Sequence, residues 1–247
     1  MTQQNGIAMG NDFFRFKQFT VRQGGAAMKV GVDSVLLGAW ANAAHASPLA
    51  LDVGAGTGLL ALMLAQRYPD AAIDTVEIDA EACRQAIENV EHTPWRSRIR
   101  VICDDFINYA KDCCRRYDLI VSNPPYFTAS LKPLDMKRNI ARHNDSLPHR
   151  SLLSESAHLL APAGILAIVL PPAEATTLID EAATYHLFVK RTLCVHPVSS
   201  KPVRRILVEL SKTRYPENLQ TLCIEKTDLS DYTDEYKQLT KDFYLKF

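Results

Sequence analysis

From residue 48 onward, apolar positions gather into short runs separated by stretches of helical period. Runs at 49–53, 73–78, 99–103, 119–121 and 164–170 have the length of strands. Between them, 59–66 and 151–160 read as helices. Cys83, Ala86, Ile87 and Val90 fall at i, i+3, i+4 and i+7, on one helical face. Strands and helices in alternation predict a parallel sheet covered on both faces. Pro171-Pro172 closes the fifth run, and 187–195 and 206–210 predict two more strands, joined by a loop rich in lysine and arginine.

Composition narrows this picture. With 247 residues, 47% of them apolar, the chain can bury a full core as one large domain. Its 28 basic and 28 acidic residues cancel, so affinity for a polyanion must come from local patches. Without a membrane-length apolar run or a basic-then-apolar leader, the expected location is the cytoplasm. The six cysteines show neither Cys-x-x-Cys nor a metal spacing with histidine, so they are expected to be reduced thiols and no metal is expected.

Charge is uneven along the chain. Residues 70–91 hold seven acids against one arginine, while 190–214 hold seven basic residues against Glu209. Two further basic stretches, 12–30 with its interleaved phenylalanines and 132–150, flank the motifs below. Together the three basic segments could form a phosphate-binding rim, with Lys201, Arg204 and Arg205 as its clearest members, or remain separate solvated faces.

Two motifs carry chemistry. In Leu51-Asp52-Val53-Gly54-Ala55-Gly56-Thr57-Gly58 a strand runs into a turn with three glycines and then a helix, letting the backbone approach a ligand closely. Glu77 follows at the end of the next strand, 23 residues after Gly54, near the offset at which a carboxylate grips ribose hydroxyls. Asp79 is open between a ligand contact and a surface carboxylate. After the third strand comes Asp104-Asp105-Phe106, an acceptor for an adenine amine beside a ring that can pack on the base. The second motif, Asn123-Pro124-Pro125-Tyr126, ends the fourth strand. Two prolines remove two N–H donors and fix two φ angles. The loop therefore presents acceptors, the Asn123 side-chain and Pro124 backbone carbonyls, with Tyr126 to stack on a planar substrate. Phe127 is a second wall or a core residue.

The acid-plus-glycine turn resembles motif I of class I S-adenosylmethionine methyltransferases, and Asn-Pro-Pro-Tyr resembles the loop of those that methylate adenine or glutamine amides. The segment from Gln23 to Trp40 (QGGAAMKVGVDSVLLGAW) and the run from Tyr232 to Leu245 are similar to the bacterial tRNA adenine-N(6) methyltransferases that act on adenosine 37 of a valine tRNA. That resemblance implies a Rossmann-like α/β fold with a seven-stranded, mostly parallel sheet whose last strand is antiparallel. It implies a cap at 1–47, a catalytic core at 48–211 and an extension at 212–247 that packs back on the sheet. S-adenosyl-L-methionine would be held by Lys29, Asp33, Asp52, Gly54, Gly56, Gly58, Glu77, Asp105 and Phe106. Asn123, Pro124 and Tyr126 would be catalytic. Phe127, Arg142, Lys201, Arg204 and Arg205 would meet the tRNA anticodon stem-loop, with His143 in the same substrate loop. Read without the resemblance, Lys29 and Asp33 are equally a helix-start ion pair. One departure is Val32, where the family carries threonine. The expected assembly is a monomer or weak homodimer. Protein-glutamine methylation, DNA adenine methylation and an inactive RNA-binding scaffold are the competing readings; the terminal signatures oppose the first, the want of an obvious target-recognition domain for duplex DNA the second, and the intact motifs the third.

Overall fold

A computed structural model describes residues 12–24, 29–125, 147–228 and 230–247. The described chain opens with a hairpin, β1 (Phe13–Arg15) and β2 (Thr20–Arg22), and a helix, α1 (Val32–Trp40). Then come β3 (Leu49–Val53), α2 (Leu59–Arg67), β4 (Ala72–Glu77), α3 (Ala80–Glu91), β5 (Ile99–Cys103) and α4 (Phe106–Asp112). The second half holds β6 (Tyr117–Ser122), α5 (His149–Leu159), β7 (Leu160–Leu170), α6 (Pro172–Ala182), β8 (Phe188–His196), β9 (Arg205–Ser211), β10 (Leu219–Cys223) and α7 (Asp234–Thr240). Tyr126, Phe127, Arg142 and His143 lie outside the described residues.

Eight strands form one sheet in the order β10-β8-β9-β7-β6-β3-β4-β5. All the expected strands are present, and β9 runs antiparallel to both β7 and β8. The C-terminal extension contributes a strand the hydropathy did not show: β10 joins the edge parallel to β8. Its residues are mostly exposed, so no apolar run marks it. Strand order reverses between β3 and β6, and open α/β sheets bind ligands at the carboxyl ends of strands flanking such a reversal. Asp52 stands near the end of β3 with the glycines just beyond it, and Asn123 follows β6.

Helices cover both faces. Residues from α1, α2, α3 and α7 pack one side with Ala50, Ile73, Leu119 and Val121. Those of α4, α5 and α6 pack the other with Leu51, Val53, Val76 and Ile120. The Pro171-Pro172 pair that stops β7 also starts α6, because proline in a first helical turn forfeits no helical bond. Gly38 lets α1 lie close against α2: a Cβ there would sit 2.6 Å from the Met63 sulfur.

The hairpin is held by the C-terminal segment. Phe16 stacks on Phe19 at 4.7 Å and on Tyr244 at 6.1 Å, and Lys17 N–H donates to the Phe243 carbonyl at 2.8 Å. On its other side, buried Asn89 of α3 bonds both the N–H and the carbonyl of Arg22, and the carbonyl of Thr57 as well. That one side chain joins the hairpin, the glycine turn and α3.

Two expectations change. Cys83 and Cys103 form a disulfide rather than two free thiols, with Cα atoms 5.8 Å apart, because the first turn of α3 lies against the end of β5. Ile87, counted on the buried face of α3, stands 41% exposed, while Asn89 takes the interior place through its three hydrogen bonds. Among the described residues no helix is long and apolar enough to cross a membrane, and no three His, Cys, Asp or Glu side chains gather as metal ligands.

Candidate active site

The glycine turn is built for close approach. Gly54, Gly56 and Gly58 take positive φ of 77°, 53° and 78°, the left-handed region that side chains disfavour. A Cβ on Gly54 or Gly56 would meet nothing within 4 Å, so both face open space in which a ligand can lie against the backbone. Gly58 serves packing instead, since its Cβ would stand 3.4 Å from Ala86 of α3.

Glu77 sets the shape of this turn. Its Oε2 accepts from Gly56 N–H at 2.7 Å and its Oε1 from Asp79 N–H at 2.9 Å. Each carboxylate oxygen has two acceptor sites, so both retain capacity for ligand hydroxyls. Asp79 resolves into a helix cap: its Oδ1 accepts from Ala82 N–H at 2.7 Å. Asp105 caps α4, with Oδ1 accepting from Ile107 and Asn108, which leaves Oδ2 for another donor. Phe106 is buried under that cap.

A groove of about 180 Å³ runs along these strand ends, lined among others by Gly54, Glu77, Asp105, Phe106, Pro124 and Ile78. Ile78 escaped sequence reasoning. It is 54% exposed, an apolar side chain held open beside Glu77 on the groove wall. A second hollow, of about 350 Å³ between the hairpin and α3, contains none of the predicted site residues.

Asp52 lies on the other face of the sheet, opposite its cross-strand neighbour Thr75. Both are fully buried, and neither Asp52 oxygen nor the Thr75 hydroxyl has a well-formed hydrogen bond among the described residues. Burial, reinforced by the charge of Glu77, pushes the Asp52 carboxyl up to about 7. An unpaired buried carboxylate is costly, and an ammonium group would satisfy it.

Asn123 follows β6 on the face shared with Asp52. Its Nδ2 donates to Ser34 Oγ in the first turn of α1 at 2.8 Å, while its Oδ1 is buried with no partner among the described residues. Pro124 is buried beside it. The neighbouring residue of α1, Asp33, accepts from Arg205 Nε at 2.7 Å, so a residue assigned to the cofactor and one assigned to tRNA meet each other. Lys29 is exposed shortly before α1, and Lys201 and Arg204 are exposed on the β8–β9 loop.

The comparisons agree with this geometry. The family model described as "Methyltransferase small domain" matches residues 31–186. A relative named tRNA1(Val) (adenine(37)-N6)-methyltransferase from Trichodesmium erythraeum is 46% identical over 241 residues, 97% of this chain and 100% of that protein. One of the same name from Parabacteroides distasonis is 46% identical over 238 residues, covering 96% and 100%. Among solved structures, a predicted O-methyltransferase from Agrobacterium tumefaciens superposes with a TM-score of 0.66 at 17% identity, over 85% of this chain and 96% of that one, which bears on the fold alone. With a glycine turn open for a ligand, acids at successive strand ends and an acceptor loop at the reversal point, the chain belongs to the tRNA1(Val) (adenine(37)-N6)-methyltransferase family of small-domain methyltransferases.

Proposed function

We propose that this chain transfers a methyl group from S-adenosylmethionine to the exocyclic N6 of adenine in tRNA, at position 37 beside the anticodon of a valine tRNA. The observation that carries the reading is Asn123 Oδ1 at the end of β6, a buried acceptor without a donor among the described residues. The donor molecule's sulfonium brings both an activated methyl and its leaving group, so the protein supplies position and electrostatics. Gly54 and Gly56 give it backbone surface, and Glu77 and Asp105 Oδ2 supply acceptors for ribose and adenine. Ile78 and Phe106 offer apolar packing, and Asp52 the negative charge its ammonium needs.

On the acceptor side, Asn123 Oδ1 and the Pro124 carbonyl take hydrogen bonds from the two hydrogens of the adenine amine. That draws the nitrogen toward tetrahedral geometry and localises a lone pair otherwise spread into the ring. Neither residue has to be a strong base, because the proton can leave once the methyl has moved. Tyr126 supplies a stacking face worth about 1–3 kcal/mol. The target adenine must stand unstacked to enter, as bases in an anticodon loop can.

The test is transfer of labelled methyl from S-adenosylmethionine to bulk tRNA lacking the modification, followed by nucleoside analysis. The expected product is N6-methyladenosine in the anticodon loop of a valine tRNA. Label appearing instead in a release-factor-like protein would move the assignment to glutamine methylation. Absence of transfer to either would remove the substrate reading.

A further inference from the structure

The Asn123 amide can present either end to a substrate, and the two ways are chemically opposite. With Oδ1 inward it accepts from the target amine; with Nδ2 inward it sets a donor against a donor. The strand and the prolines fix where the side chain sits but not which end points in. An amide takes the orientation its hydrogen-bond partners dictate. The partner here is Ser34 Oγ, 89 residues away in sequence, which accepts from Nδ2 at 2.8 Å and, being a hydroxyl able to accept or donate, tethers the amide from one side, while Oδ1 is buried with no partner among the described residues.

The position of Ser34 is itself braced. Gly31, the residue capping α1, makes no side-chain cap, and its carbonyl accepts from Val35 N–H at a long 3.3 Å. Asp33 is held by Arg205 from the start of β9, with side chains only 20% and 16% exposed. Neighbouring residues of one helical turn thus reach β9 on one side and the acceptor loop on the other.

We infer that Ser34 is a positioning residue that tethers the Asn123 side chain to the first turn of α1, and that the Asp33–Arg205 pair braces that turn. The inference rests on the reading of Asn123 as acceptor. A serine at this place has a chemical task that alanine cannot perform and threonine can.

The experiment compares Ser34→Ala, Ser34→Thr and Asn123→Ala in the full chain, measuring kcat, KM for tRNA, S-adenosylmethionine affinity by calorimetry, and Tm. Ser34→Ala is expected to lower kcat about 10–100-fold, the scale of a misplaced reacting group, with KM, affinity and Tm nearly unchanged. Ser34→Thr is expected to restore most of that loss. Unchanged kcat in Ser34→Ala, a parallel fall in affinity and Tm, or a threonine variant as slow as the alanine one would each overturn the inference. If Asn123→Ala loses turnover while Ser34→Ala does not, only the inference fails. If Asn123→Ala turns over normally, the acceptor reading beneath it fails as well.

Discussion

The nucleoside side of the cleft and the acceptor side are assembled on different plans. Around the glycine turn, carboxylates at strand ends brace backbone turns: Glu77 holds Gly56, 21 residues away, and its neighbour Asp79, Asp79 holds Ala82, and Asp105 holds Ile107 and Asn108. Every one of those bonds ends on a backbone N–H, so the site is shaped by main chain and survives wherever the turns form. The acceptor side is joined by side chains across long separations, Asn123 to Ser34 and Asp33 to Arg205, 172 residues apart. A backbone-built site suits a donor molecule that is the same in every turnover, whereas a side-chain-built one orients a single atom pair for one chemistry.

If that division is real, the two sides should fail separately. On the proposed reading Asn123→Ala removes a hydrogen bond to the reacting nitrogen and should cost about 10²–10³-fold in kcat, leaving S-adenosylmethionine affinity near the parent value. Comparable loss of cofactor binding in that variant would show that the two sides are one.

Asp52 gives the converse experiment and a sign. Its carboxyl is raised to about 7, so between roughly pH 4 and 7 the folded state keeps a proton that the unfolded chain has released. Stability therefore falls with rising pH across that window, by about 1.4 kcal/mol per unit, and is flat above it. Asp52→Asn removes the dependence and should raise the Tm of the ligand-free protein at pH 8 by roughly 5–10 °C. If Asp52 holds the cofactor's ammonium as proposed, the same change should weaken cofactor binding about 30-fold or more. In the parent protein, affinity should climb between about pH 6 and 8 as Asp52 ionises. A flat pH profile with Asp52→Asn binding normally would sink this role.

Glu77→Gln is a milder break on the same side. Glutamine keeps one oxygen but turns an NH2 toward an N–H that a carboxylate oxygen now accepts. Losing one charged hydrogen bond predicts about 10–100-fold weaker cofactor binding. Once cofactor saturates the variant, kcat should be close to that of the parent.

The sheet and the nucleoside side could be read from sequence because they are local. Apolar runs mark the strands, and a fixed offset from Gly54 marks Glu77. The parts missed were those without a local signal. Ser34 and Asn89 are ordinary polar residues within helical stretches, and their roles appear only when β6, β2 and the glycine turn arrive beside them. Ile78 is one more apolar residue at the end of an apolar run; its exposure is what distinguishes it. β10 is mostly exposed, so hydropathy cannot separate it from loop.

The basic segment at 190–214 shows how composition alone over-counts a nucleic-acid surface. Arg191 bonds Glu209 and lies 4.0 Å over the Trp40 ring, Arg205 pairs with Asp33, and Lys212 donates to the Leu160 carbonyl. Arg214 and Lys190 rest over Phe188 and Tyr215. Lys201 and Arg204 are exposed, with no side-chain partner among the described residues. Neutralising both should weaken tRNA binding roughly 5–30-fold at moderate salt and flatten the salt dependence by close to two contacts, with kcat at saturating tRNA nearly unchanged. Arg205→Gln should do the reverse: a small change in salt slope with a loss in kcat, because it acts through Asp33 and the turn bearing Ser34. Equal salt-slope effects from Arg205 and Lys201 would place all three in one phosphate rim and dissolve the distinction between a binding loop and the brace behind the acceptor.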